Sequence, residues 1–158
     1  MTSTRQHRFD EAAAALGHRF DGEIQIGGHY VSTLRHGDTI HVSGQIPRVG
    51  STVVITGRVG ADVTLAEAQH AARICTMRAL ALLARSLGSL DEVQQVLRVG
   101  VFTQSAPDFT QQSEVADAAS DLLHDILGEA GSHTRTSVGV YQLPKNAAVE
   151  LDLIAAVR

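Results

Sequence analysis

Between Thr64 and Gly88 the chain spells out both ends of one long helix. Thr64-Leu65-Ala66-Glu67 has the form of a capping box, in which the threonine oxygen and the glutamate each satisfy a backbone N–H that a helix start leaves free. Ala68, Ala71, Ala72, Cys75, Ala79, Leu82 and Leu83 then fall on one apolar stripe, and Gly88 supplies a left-handed cap, so the helix is expected to run to about Leu87. Arg73, Arg78 and Arg85 interrupt it, and no window reaches the roughly 18 apolar residues that a membrane span needs.

Two further helices are expected around this one. Val115, Ala119, Leu122, Leu123, Ile126 and Leu127 form a second long apolar stripe closed by Gly128. Near the start, Phe9, Ala12, Ala13 and Leu16 stand at i, i+3, i+4 and i+7, and Gly17 stops that short helix. Residues 21–28 read as a connector. YVSTLR and TIHVS, separated by His36-Gly37-Asp38, read as a hairpin, and Thr52 to Thr56 as a small edge strand. Ser89-Leu90-Asp91-Glu92 opens at most a turn or two before the strand VLRVGVFTQ. The chain closes with two alternating runs, RTSVGVYQL and VELDLIAAV, joined by Pro144-Lys145-Asn146. Val149, Leu151, Leu153, Ala155 and Val157 share one face of the last strand.

The order strand, strand, helix, strand, helix, strand, strand predicts an α+β domain of two layers, a mixed sheet with two helices on one face. The other face is expected to carry Arg135, Ser137, Glu150 and Asp152, too polar for a monomer core, and so to be wetted or used in assembly. With 158 residues the chain is one domain, in which residues 1–28 form an N-terminal helix and connector and residues 29–158 the main body. Aromatic residues make up 4% and tryptophan is absent, so Ala, Leu and Val fill the interior. Such small side chains bury little area each, and a dimer or trimer could supply what the monomer core lacks.

Composition also narrows function. Thirteen basic against seventeen acidic residues leave a net charge of −4, which gives no reason to expect a polyanionic partner. The single cysteine, Cys75, excludes an intramolecular disulfide and lies on a helix stripe where a buried, inert thiol is expected. The N-terminus holds no apolar run of the secretory type, so a soluble, cytoplasmic protein with no membrane partner is expected. Eight histidines form neither HxH nor HExxH, and no metal is expected; His36 and His41 merely flank a turn. GxGxxG, Walker and GxSxG motifs are all missing. Lys145, the sole lysine, sits in a turn and is a badly placed Schiff-base candidate.

A polar group near the C-terminus remains. Arg135 on a strand is suited to grip a carboxylate through two parallel hydrogen bonds, and equally to be an ordinary ion-pair partner on a sheet face. If the last two strands formed a hairpin about Lys145-Asn146, Arg135 would lie opposite Ala156 and Glu150 opposite Tyr141. They would share a face yet stand about 20 Å apart at about 3.3 Å per residue. One small ligand could not then touch both within a chain: they are unrelated, or two subunits bring them together.

GGHYVSTLRHGDTIHVSGQIP, GSLDEVQQVLRVGVFTQSAPDF and RTSVGVYQLPKNAAVELDLIAAVR together resemble the YjgF family, the Rid (reactive intermediate deaminase) proteins, also named L-PSP endoribonucleases. The SAPDF and GEAGSHTR stretches and the longer N-terminus look closer to a less studied branch. The resemblance implies a chorismate-mutase-like fold, a homotrimer and ligand clefts between subunits. It implies cofactor-independent hydrolysis of 2-imino or enamino acids to 2-keto acids and ammonia. Arg135 would hold the substrate carboxylate, helped by the backbone at Ser137 and Gly44 with Ser43 nearby. Tyr30 would be the cleft tyrosine and Glu150 the acid that positions or activates water. The chain departs from the family pattern in carrying Ser137 in place of a cysteine and His133-Thr134 before Arg135. Other readings are a carboxylate-binding or sensing trimer without turnover and, against the charge balance, a ribonuclease or translation inhibitor.

Overall fold

A computed structural model describes residues 3–158. Helix α1 (Thr4–Leu16) ends at Gly17, whose φ of 74° is the left-handed conformation that glycine adopts without a steric penalty. Strands β1 (Thr33–His36) and β2 (Thr39–Gln45) form the expected hairpin, with His36 paired to Thr39. The β-branched run after Gly50 is shorter than expected: β3 (Arg48–Val49) and β4 (Thr52–Val53) pair only with each other. Helix α2 (Leu65–Leu87) begins as the sequence dictates, with Thr64 Oγ1 accepting from the Glu67 N–H at 3.1 Å, and ends at Gly88. Strand β5 (Val93–Gln104), helix α3 (Gln112–Leu127), β6 (Thr134–Val140) and β7 (Val149–Val157) complete the chain. Removing the Thr64 cap in Thr64→Ala frees one N–H at the α2 start, and urea unfolding should show a loss of about 1 kcal/mol.

The five-stranded sheet runs β1-β2-β7-β5-β6, and this order corrects the expected β6–β7 hairpin. Helix α3 crosses over to lay β6 parallel to β5, and β7 then inserts between β2 and β5, antiparallel to both. Pro144–Asn146 is therefore a tight turn, left-handed at Lys145 and Asn146, that redirects the chain rather than a loop joining neighbouring strands. The central position of β7 explains its strict alternation. Val149, Leu151, Leu153, Ala155 and Val157 are buried beneath α2, whereas the residues between them face the other way.

Three helices, not two, make the second layer's side of the domain. Helix α1 packs on α2 and α3, its Arg5 donating to the carbonyls of Leu90 and Val93, and Phe9 meets Phe20 edge-on at 6.4 Å. Alanine at 68, 71, 72, 79 and 81 lets α2 lie close to the sheet, and thirteen of its residues are buried. The opposite sheet face is bare in one chain. Leu34 and Val138 stand on it largely exposed, beside Glu150 and Asp152. Cys75 is fully buried, its thiol pushed up from the usual range by desolvation, as expected for an inert thiol. No described helix is long and apolar enough to cross a membrane.

Candidate active site

A bulge in β2 builds the first part of the site. Pairing with β7 runs Val42 to Leu153 and then jumps to Gln45 against Leu151, so Ser43 and Gly44 together stand opposite Asp152. Ser43 is tied down at this point: its N–H donates to the Ser32 carbonyl at 2.9 Å and its hydroxyl to that of Val31 at 2.7 Å. Gly44 then lies flat against Glu150. A Cβ on Gly44 would sit 2.7 Å from Glu150 Oε2, so the glycine makes room for the carboxyl group.

Around them is a pocket of about 170 Å³, whose walls include Tyr30, Gly44, Arg48, Arg78, Lys145 and Glu150. Tyr30 reaches it from the connector before β1, 46% exposed, its hydroxyl accepting from the Gly27 N–H at 3.3 Å. Glu150 is half-buried and belongs to none of the ion pairs among the described residues. Burial, reinforced by neighbouring Asp152, pushes its carboxyl above the usual range. A carboxyl shifted upward without a cationic partner is closer to sharing protons near neutral pH than a surface glutamate.

Arg78 anchors the pocket floor. It is 3% exposed, and its guanidinium fork donates to Gln45 Oε1 at 3.1 Å, the Arg48 carbonyl at 2.8 Å and the Gln25 carbonyl at 2.7 Å. Desolvation lowers its pKa to about 10, which leaves it a cation at neutral pH. These bonds fasten the connector and the β2–β3 corner to α2. Arg78, Arg48 and Lys145 were not among the expected site residues. A signal existed for Arg78: it stands three residues after Cys75 and four before Leu82, on the buried stripe, where a charge is tolerated only with partners.

Arg135 and Ser137 lie elsewhere in the same chain. Through the parallel register they pair with Val99 and Val101, whose side chains face the helices, so the expected sharing of a face with Glu150 is corrected. Arg135 turns toward α3, where Nη1 donates to Asp117 Oδ1 and to Ser120 Oγ, both at 2.9 Å. His133 Nδ1 donates to the Gly131 carbonyl at 2.6 Å, so its Nε2 accepts from the Ser120 hydroxyl at 2.8 Å. Tyr30, Ser43, Gly44 and Glu150 thus gather at one place in the chain, and Arg135 and Ser137 at another.

The helix-backed mixed sheet is shared with known proteins. The family model described as "YjgF/chorismate mutase-like, putative endoribonuclease" matches residues 9–157, and the chain belongs to this family. Protein TCP17 of Trypanosoma cruzi is 45% identical over 140 residues, covering 88% of each chain. The crystal structure of Atu1372 from Agrobacterium tumefaciens superposes with a TM-score of 0.86 at 35% identity, covering 98% of this chain and 92% of that one. A Dermatophagoides farinae protein named 2-iminobutanoate/2-iminopropanoate deaminase is 28% identical over 131 residues, 82% of this chain and 87% of its own.

Proposed function

We propose that the chain hydrolyses 2-imino or enamino acids to 2-keto acids and ammonia, without a cofactor, in a cytoplasmic homotrimer whose clefts lie between subunits. The observation that carries this reading is Glu150: a half-buried carboxyl, unpaired among the described residues, beside Tyr30 and Gly44 in an open pocket. Water adds through its oxygen to the electrophilic C=N carbon as Glu150 takes a water proton. That proton passes to the nitrogen to give a carbinolamine; the hydroxyl proton then moves to the nitrogen as the C=O bond forms and the C–N bond breaks, leaving the 2-keto acid and ammonia. General-base help of this kind contributes about 10²–10⁴-fold. The name of the Dermatophagoides relative supports the same chemistry.

The substrate carboxylate falls to Arg135 of the partner subunit. In its own chain Arg135 is engaged with Asp117, whose side chain is 58% exposed, and exposed pairs of this kind are worth about 0.2–1 kcal/mol. Two charge-assisted hydrogen bonds to a substrate, about 1.5–3 kcal/mol each, outweigh that pair. The bare sheet face with Leu34 and Val138 supports assembly as well. Arg135→Ala should therefore lower imine hydrolysis by about 10–100-fold, read as 2-keto acid released from an imine generated in situ. Equal rates for the variant and the wild type would remove Arg135 from the site. Gly44→Ala is expected to keep its fold, because a mobile carboxyl tip can swing away, yet to lose about tenfold in kcat/KM by displacing Glu150.

A second reading is a carboxylate-binding trimer without turnover, supported by a pocket wall that holds Arg48, Arg78 and Lys145 against one carboxyl. Tight 2-keto acid binding with no hydrolysis would establish it. A ribonuclease role is the weakest fit, since the chain carries a net charge of −4 and one lysine.

A further inference from the structure

The walls of the Glu150 pocket hold three cationic side chains, Arg48, Arg78 and Lys145, against one carboxyl. None of the four takes part in an ion pair among the described residues. Arg78 spends its hydrogen bonds on Gln45, Arg48 and Gln25, but its charge stays in the pocket wall. Arg48 is in a different condition. Its Nε is buried with no hydrogen-bond partner, and its Nη1 has only a 3.5 Å contact with Gln25 Oε1. A guanidinium left this poorly satisfied is primed to donate to an arriving acceptor.

Lys145 is presented at the rim by a backbone that has to be held in place. Lys145 and Asn146 both adopt positive φ, 59° and 60°, a left-handed conformation that side-chain-bearing residues seldom take. The Asn146 carbonyl accepts from the Gly57 N–H at 2.9 Å, and Asn146 Oδ1 accepts from Gln104 Nε2 at 2.8 Å. The buried Gln104 and the Gly57 turn thereby fix the only lysine of the chain at the pocket mouth.

We propose that Arg48 and Lys145 bind a second carboxylate on the substrate, so that the imines taken by this protein derive from amino dicarboxylic acids. This rests on the hydrolytic or carboxylate-binding reading above, in which Arg135 of the partner subunit holds the first carboxylate. The excess positive charge selects an anion, and Glu150 in the same pocket selects a singly charged carboxylate over a doubly charged phosphate, whose repulsion would be greater.

Calorimetric titration of the full-length protein with 2-oxoglutarate and with 2-oxobutyrate, the di- and monocarboxylate product types, tests the assignment. The wild type should bind 2-oxoglutarate about 10–100-fold more tightly, and Lys145→Ala and Arg48→Gln should each bring the ratio toward one. Lys145 is exposed, so its variant remains folded and the comparison stands even if Arg48→Gln is destabilised. Equal binding of the two acids by the wild type, or a ratio unchanged in Lys145→Ala, overturns the second-carboxylate site alone. Binding of neither acid overturns it together with the reading on which it rests.

Discussion

Arg78→Ala should lose about 3–5 kcal/mol of stability, because three acceptors of one charged donor, the buried Gln45 among them, are stranded at once. Gln45 Oε1, itself within a side chain only 2% exposed, would lose its donor, and the carbonyls of Gln25 and Arg48 would lose theirs. Each orphaned acceptor bears a desolvation penalty of about 1–3 kcal/mol unless water enters the space left by the arginine. Partial flooding is why the expected sum lies below three full penalties. For a chain of this size the loss corresponds to about 10 °C in Tm. Arg78→Lys keeps the charge but cannot reach three divergent acceptors, and should fall between the two. Urea unfolding of Arg78→Ala within 1 kcal/mol of the wild type would show that the fork does not fasten the connector to α2.

Glu150→Gln should separate activity from stability by moving them in opposite directions. Loss of the base lowers imine hydrolysis by about 10²–10⁴-fold. Stability responds to the upward pKa shift. Between the unfolded carboxyl value, about 4.3, and the higher folded one, the folded chain binds more protons than the unfolded chain, so stability falls as pH rises through that window. Above it the ionised, half-buried group remains a standing penalty. The glutamine has no such slope, so its melting temperature should match or exceed that of the wild type at neutral pH, with the advantage growing as pH rises from acid. Asp152, shifted upward by its own burial, keeps a slope of the same sign in both proteins. A glutamine variant that melts lower at neutral pH, with unchanged hydrolysis, would make Glu150 a structural residue.

Local chemistry was legible where a short stretch carries its own answer. Thr64, Gly17 and Gly88 cap helices as their residue types demand, and the alternation of β7 revealed its buried face. The position of β7 between β2 and β5 depends on pairing between residues distant in the chain, from Thr103 with Val149 to Thr39 with Ala156, which no local pattern encodes. In β6 the more apolar set, Thr136, Val138 and Val140, faces away from the helices, while Arg135, Ser137 and Gly139 face α3, so the local pattern points the wrong way and only packing settles the orientation. The site divides in the same way. Glu150, Gly44 and Tyr30 fall together, whereas Arg48 and Lys145 reach the pocket because a buried arginine and a left-handed turn fold distant segments against it.

The central proposal is that Glu150 of one chain works with Arg135 of another. Two variants that each keep at most about a tenth of the wild-type rate, Arg135→Ala and Glu150→Gln, can be coexpressed in equal amounts and purified as mixed assemblies. An Arg135→Ala chain still carries Glu150, and a Glu150→Gln chain still carries Arg135. A cleft between chains then receives both intact residues in about a quarter of its occurrences, so imine hydrolysis should return to about a quarter of the wild-type rate. Mixed assemblies as inactive as their parents would contradict a site shared between subunits.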